Sequence, residues 1–412
     1  WEFQTVPRKG EKYNETWGDG WDRRGGTNMW AFSVSIDTDR GIVYLPISGP
    51  AANYYGGDRP GNNVYANSVV AVDAETGAYK WHFQTVHHDL WDFDNAAPPA
   101  LVNIRRDGRD VPAVLQATKT GMLYVLHRET GEPLFPVEER PVPASDIPGE
   151  VASPTQPFTA TTPPLVPHTI SIDSVFGISP EEREACRATL RGLRYEGIFT
   201  PPSLQGTLVT PSNIGGAHWG GVAADPERGI AVIPVNRLAA IVHLIPQDQY
   251  DPTAARAEIS RLGWQYTRMR GTPYIMRRRF FLSPSGVPCT PPPFGTLVGV
   301  DLSTGGIRWN VPLGTMPGAP DSAPSGSPNL GGAMVTASGL VFMAGTLDRA
   351  IRAFDIETGR ELWKAQLPAG GKATPMTYEV DGRQYVVIAA GGGDRFGEGD
   401  AFVAFSLPGG GR

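Results

Sequence analysis

The run Ala71-Val-Asp73-Ala-Glu-Thr76-Gly77-Ala-Tyr-Lys-Trp81 recurs as Gly299-Val-Asp301-Leu-Ser-Thr304-Gly305-Gly-Ile-Arg-Trp309 and as Ala353-Phe-Asp355-Ile-Glu-Thr358-Gly359-Arg-Glu-Leu-Trp363. Asp and Trp stand eight residues apart each time. A weaker copy, His127-Arg-Glu-Thr130-Gly131-Glu-Pro-Leu-Phe135, keeps the interval with His for Asp and Phe for Trp. The physical reading is strand, turn, strand. Asp accepts from turn amides, Gly supplies positive φ, and the indole docks on a neighbouring sheet. Between these units lie short β-rich segments, Gly41–Ile47, Gly229–Val235, Gly339–Ala344 and Tyr385–Ala390, too short for helices and bounded by turn residues. Sheets repeated radially, each with one docking aromatic, are what a β-propeller requires, so the expected class is all-β.

Working outward, Trp1-Glu-Phe-Gln-Thr-Val-Pro7 matches Trp81-His-Phe-Gln-Thr-Val-His87 at five of seven positions. Trp1 therefore reads as the end of a repeat whose earlier part precedes it, and an N-terminal truncation is expected. Docking units at or near 1, 81, 135, 309 and 363, with the Gly229 strand, make about six blade equivalents, one incomplete. Two stretches break the repeat and read as insertions, about 138–205 and 245–293. The first is rich in proline and contains Ser179-Pro-Glu-Glu182, a capping box that predicts one short helix over about 180–193. The second carries Arg277, Arg278 and Arg279. Long loops on one face of a propeller shape a binding mouth.

Composition bounds the function. The 412 residues carry a net charge of −6 and no basic run, which excludes a nucleic-acid groove as the main business of the chain. No apolar stretch reaches the length of a membrane span, and the first residues show no signal-peptide pattern. Cys186 and Cys289 are 103 residues apart, so neither a CxxC metal site nor a CxxCH haem attachment is available. One long-range disulfide and two buried thiols both fit the sequence.

Chemistry concentrates in Gln84-Thr-Val-His87-His88-Asp89-Leu-Trp91-Asp92-Phe-Asp94-Asn95, directly after a docking tryptophan where the chain crosses between blades. His87 and His88 are adjacent and point to opposite faces of an extended chain, which disfavours a two-histidine metal site. Asp89 and Asp94 have the surroundings of ordinary turn acids.

This run, Trp81 to Asp94, resembles the quinoprotein dehydrogenases that use pyrroloquinoline quinone (PQQ), in their glucose and quinate dehydrogenase branch. Gly26-Thr-Asn-Met-Trp30, Ala117-Thr-Lys-Thr-Gly121, Arg194-Tyr-Glu-Gly-Ile-Phe-Thr-Pro-Pro-Ser203, Trp219-Gly220-Gly221 and Leu367-Pro-Ala-Gly-Gly-Lys-Ala-Thr-Pro-Met-Thr-Tyr378 extend the resemblance over nearly the whole chain. It implies an eight-bladed propeller of which this chain is the later part, a periplasmic location, and oxidation of a sugar, polyol or cyclic alcohol. The reaction is base-assisted hydride transfer to the quinone, with ubiquinone or a c-type cytochrome as electron acceptor.

Position by position, the resemblance makes Asp92 the general base and Lys119 the cation beside the reactive quinone oxygens. Trp30 becomes the floor under the flat cofactor, Asn236 an amide touching the quinone, and Trp219 and Arg395 further cofactor-binding residues. Asp92, Lys119, Trp30 and Asn236 are expected to line one axial pocket, with Trp30 close to Lys119. The chemistry agrees: alcohol oxidation needs a base for the hydroxyl proton, an electron sink, and a cation where negative charge develops. A divalent ion, usually calcium, accompanies PQQ in the family. Here the turn that should contribute a ligand is Ser48-Gly49-Pro50-Ala51-Ala52, where only Ser48 or a carbonyl could serve, and the other ligands are expected outside this chain. The alternatives are a quinate or shikimate dehydrogenase, and a non-catalytic propeller scaffold.

Overall fold

A computed structural model describes residues 1–31, 33–106, 108–317 and 325–407. The Asp-Thr-Gly repeat folds as its chemistry demands. Asp73 Oδ1 accepts from the amide and the hydroxyl of Thr76, and Asp355 Oδ1 does the same with Thr358. Gly77, Gly305 and Gly359 take φ values of 72°, 77° and 70°, and a bulge precedes the aspartate in every copy.

Each repeat closes one antiparallel sheet. Blade one is Ser35–Asp37, Ile42–Pro46, Ser68–Asp73 and Tyr79–Gln84; blade two is Ala100–Arg106, Arg109–Ala117 and Leu123–His127. Blade three is Ala223–Asp225, Ile230–Asn236, Gly295–Asp301 and Ile307–Pro312. Blade four is Met334–Val335, Leu340–Met343, Ala350–Asp355 and Glu361–Gln366, and blade five is Met376–Val380, Arg383–Gly392 and Glu398–Phe405.

The docking aromatics set the order of the blades. Trp1 lies on the turn glycine of blade one, Trp81 on that of blade two, Phe135 on that of blade three and Trp309 on that of blade four. A Cβ on Gly131 would come within 2.4 Å of the Trp81 ring, so the repeat needs glycine for docking as well as for φ. The indole N–H of Trp1, Trp81 and Trp309 donates to the carbonyl one residue after the turn's Asp or His: Ala74, Arg128 and Ile356. Trp363 meets Phe405 of blade five edge-on at 5.1 Å.

The Gly229 strand and the Trp309 strand, counted above as separate units, belong to one sheet, and the last blade restores the number to about six with the partial unit at Trp1. They look separate because the chain leaves blade three after Asn236 and returns only at Gly295, a wider excursion than 245–293. That excursion, with Thr207–Val209, builds a sheet of its own in the order Thr207–Val209, Ala240–Pro246, Tyr274–Phe280, Gln265–Arg268. Among the described residues there are two α-helices rather than one. α1 (Pro180–Arg191) starts where the capping box places it, with the Ser179 side chain accepting from the Glu182 amide; α2 (Pro252–Leu262) is capped by Asp251.

Cys186 on α1 and Cys289 form a disulfide with Cα atoms 5.8 Å apart, stapling the first excursion to the second. Among the described residues, no helix is long and apolar enough to cross a membrane.

Candidate active site

The connector from blade one to blade two builds the site. Trp91 and Phe93 are fully buried and pack with Phe199, and the Trp91 indole donates to the Thr200 carbonyl at 2.8 Å. Asp92 and Asp94, on the opposite face, border a cleft of about 510 Å³. Asp89 is a true turn cap, accepting from the amides of Trp91 at 2.9 Å and Phe93 at 3.0 Å. Asp92 sits at φ 65°, a strained conformation for a non-glycine residue that tertiary contacts must hold.

Lys119 reaches this connector from the Thr118–Gly121 turn. Its Nζ donates to Asp94 Oδ2 at 2.6 Å and to the Asp92 carbonyl at 2.8 Å, and lies 3.6 Å from Asp92 Oδ2. Burial works against the ammonium, but the carboxylates of Asp92 and Asp94 outweigh it and hold Lys119 above its ordinary pKa. Burial raises the Asp92 carboxyl above the usual carboxylate value, with Lys119 opposing the rise and Asp94 reinforcing it. The ammonium also stands 5.5 Å from the centre of the Trp30 ring, which is 41% exposed and lines the cleft. Trp30, Lys119 and Asp92 thus come together from three distant segments.

The other expected residues stand apart. Asn236 is buried, with its Nδ2 donating to the Asn329 carbonyl at 2.9 Å and its Oδ1 accepting from the Asn329 amide at 2.8 Å. Trp219 is half-buried beside His218, and Arg395 is exposed near the end of blade five; neither lines the cleft. The histidines diverge as expected, His87 toward Glu139 and His88 toward Glu150.

Three participants were not singled out from the sequence. Asn53 donates to Asp92 Oδ1 at 2.9 Å, and Arg278 lies 3.3 Å from Asp92 Oδ2. Asp94, expected only to cap a turn, pairs with Lys119 and accepts from the Gly49 amide at 2.8 Å. A Cβ on Gly49 would fall 2.5 Å from Asp89 Oδ2 and 3.3 Å from Asp94 Oδ1, which explains glycine at that turn. The far wall is Thr267, Arg268, Met269 and Arg270 from the excursion.

A flat polyanion such as PQQ suits this cleft. The Trp30 face is open, cationic Arg268 and Arg270 stand on the wall, and the cleft-lining hydroxyl of Ser48 is buried without a hydrogen-bond partner. A metal does not find a ligand set: among the described residues no group of three or more His, Cys, Asp or Glu side chains could hold an ion, and Asp94 is already committed to Lys119 and Gly49.

The propeller fold and the meeting of Trp30, Lys119 and Asp92 point to the quinoprotein class of propellers. Residues 1–386 match the family of the PQQ glucose/ethanol/alcohol dehydrogenase β-propeller domain, and the chain belongs to that family. It is 41% identical over 394 residues to a probable quinate dehydrogenase (quinone) of Xanthomonas campestris pv. juglandis, covering 92% of this chain and 50% of the relative. It is 40% identical over 396 residues to the quinoprotein glucose dehydrogenase of Escherichia coli, covering 92% and 49%. The chain thus spans about half the length of these curated relatives. The quinohemoprotein alcohol dehydrogenase of Comamonas testosteroni shares the fold, with TM-score 0.63 at 23% identity over 97% of this chain and 52% of that one.

Proposed function

We propose that this protein oxidises a hydroxyl of a sugar, polyol or cyclic alcohol to the carbonyl, with Asp92 as the base. The observation that carries the reading is the Asp92 carboxylate at the cleft, beside a buried cation and an open indole face. Asp92 takes the hydroxyl proton, and its raised proton affinity makes it the better base. Trp30 would hold PQQ on its open face, and the quinone would supply the acceptor for the hydride that leaves the substrate carbon. Lys119, whose ammonium stands 5.5 Å from the centre of the Trp30 ring, places a fixed positive charge beside that position. Asn53 and Arg278 keep the carboxylate from rotating away. Ser48 or a backbone carbonyl of its turn would be the local candidate ligand for calcium, and no role given to Asp92, Lys119 or Trp30 depends on it.

The relatives include both a glucose and a probable quinate dehydrogenase, so a cyclic hydroxy acid is the second substrate reading. A bare scaffold would gain nothing from burying Lys119 against two carboxylates, an arrangement that costs desolvation. We place the electrons' destination at ubiquinone or a c-type cytochrome; the name of the Xanthomonas relative specifies a quinone. The Cys186–Cys289 bridge supports an oxidising compartment, the periplasm.

The test is Asp92→Asn in the full-length protein reconstituted with PQQ and calcium, assayed by dye-linked oxidation of glucose, polyols and quinate. Turnover should fall by about 10²–10⁴-fold with PQQ binding retained. Near-normal turnover, or no activity of the unmodified protein on any alcohol, refutes the reading.

A further inference from the structure

Arg278 lies 186 residues from Asp92 in sequence and belongs to a different sheet. Its strand, Tyr274–Phe280, is interior to the excursion sheet, with Arg278 opposite Val242 on one side and Gln265 on the other. Alternation divides the three arginines. Arg277 and Arg279 turn to the face that carries Trp264, their guanidinium carbons 4.6 and 4.7 Å from its ring, and Arg277 pairs with Glu258. Arg278 alone points to the connector. It is fixed there at several points: Nε donates to Gln265 Oε1 at 3.0 Å, Nη1 donates to Tyr54 Oη at 2.7 Å, and the guanidinium carbon lies 5.8 Å from the centre of the Tyr54 ring. The same Nη1 donates to Asp92 Oδ2 at 3.3 Å.

The charged and titratable groups around Asp92 come from every packed element. Asp89 and Asp94 share its connector, Lys119 comes from the blade-two turn, Tyr54 from the loop after the second strand of blade one, and Arg278 from the excursion. Lys119 sits 2.6 Å from Asp94 Oδ2 and 3.6 Å from Asp92 Oδ2, so its charge is shared between the two carboxylates. Arg278 adds a second cation at Asp92, 3.3 Å from the same oxygen.

We propose that Arg278 is a positioning residue of the reaction, a second counter-ion that, with Lys119, favours the ionised Asp92 carboxylate and holds it aimed into the cleft. This rests on the reading of Asp92 as base. It gives the excursion a role beyond covering the propeller: the fold reaches across to the blade connector and sets the pH at which the base becomes competent.

The experiment is the pH profile of kcat/KM for the full-length holoenzyme, its Arg278→Gln and Arg278→Lys variants, and Asp92→Asn. Loss of the neighbouring cation lets the carboxylate keep its proton to higher pH. The acidic limb should therefore move up by about 1 pH unit in Arg278→Gln, the low end expected for one close opposite charge. It should move less in Arg278→Lys, whose single ammonium lacks the guanidinium's second arm to Gln265. PQQ affinity, read from quenching of tryptophan fluorescence, should stay within about twofold. A limb that stays in place or moves down, or a loss of activity uniform across pH, overturns the proposal. Should Arg278→Gln fail to fold, an unmoved limb in folded Arg278→Lys overturns it equally. The two readings separate through Asp92→Asn. If that variant is inactive while the arginine variants keep the limb in place, only the role of Arg278 falls; if it is active, the base assignment falls.

Discussion

Asp94→Asn is the change whose outcome the sequence and the structure foresee differently. A turn cap replaced by its amide would cost little. In the structure, Asp94 is the near partner of a lysine whose side chain is only 4% exposed, and the Asp94 side chain itself is 13% exposed. The amide keeps an oxygen for the Gly49 N–H, so the backbone contact at 2.8 Å survives and only the charge is lost. Removing one partner of a buried pair typically costs about 3–5 kcal/mol. Asp92 remains 3.6 Å from the ammonium and offsets part of this, which places the expected loss near 3 kcal/mol. The sign of the pH effect also follows. Lys119 titrates above its ordinary value in the folded state, so its stabilising contribution is present at neutral pH and is lost only as pH rises through the folded pKa. With Asp94 neutral that loss begins at lower pH, and alkaline unfolding should start earlier in the variant. Turnover should fall as well, because the ammonium recentres on Asp92. Urea unfolding at neutral pH and at pH 9–10, followed by tryptophan fluorescence alongside dye-linked turnover, makes the measurement. A variant within about 0.5 kcal/mol of the parent, with unchanged turnover, would show that Lys119 is not held by Asp94.

Asp89 gives an opposite pH signature. Burial pushes its folded pKa up to about 7 against an ordinary value of 3.8, so stability falls as pH rises between those limits, where the unfolded chain has already released the proton. The stability deficit of Asp89→Asn, which cannot ionise, should therefore shrink from pH 4 to pH 7 by as much as about 4 kcal/mol; an identical deficit at both ends refutes the assignment. Cys186→Ser opens a loop of 103 residues and should lower stability by about 2–5 kcal/mol. Because the staple anchors the excursion that carries Arg278 and the Thr267–Arg270 wall, KM should rise more than kcat falls, and a melting temperature indifferent to both mutation and reductant would count against it.

What was legible in the sequence was what is local. The Asp-to-Trp interval encodes a turn and the strand pairing around it within eleven residues and presents an indole for the next blade, and the capping box at Ser179 is likewise short-range chemistry. The site was legible to the same range. Resemblance supplies Asp92, Lys119 and Trp30, while the pairing of Asp94 with Lys119 shows only in the structure. The membership of blade three was hidden, because one sheet is drawn from segments flanking a long excursion, and nothing local in Ala240–Pro246 distinguishes a strand of that excursion from a strand of the repeat. Asn236 was misleading for a related reason. An amide at the end of a blade strand can face the axis or the neighbouring connection, and here Asn329 takes both of its polar atoms.

Arg278 was hidden differently, as one of three consecutive arginines whose alternation is plain but whose facing is not. Electroneutrality narrows the choice. Two carboxylates on the cleft face of one buried connector need two cations nearby, because an unpaired buried charge costs several kcal/mol. Lys119 supplies one, shared between both carboxylates. The second has to be a residue able to reach the connector across the mouth while anchored elsewhere. A guanidinium does this better than an ammonium, since its fork can hold Gln265 with one arm and leave another for Tyr54 and Asp92. The Arg-rich excursion is thus the natural source of the missing charge, and its sheet is ordered by the same requirement, since a mobile arginine would leave Asp92 without its second counter-ion for part of the time.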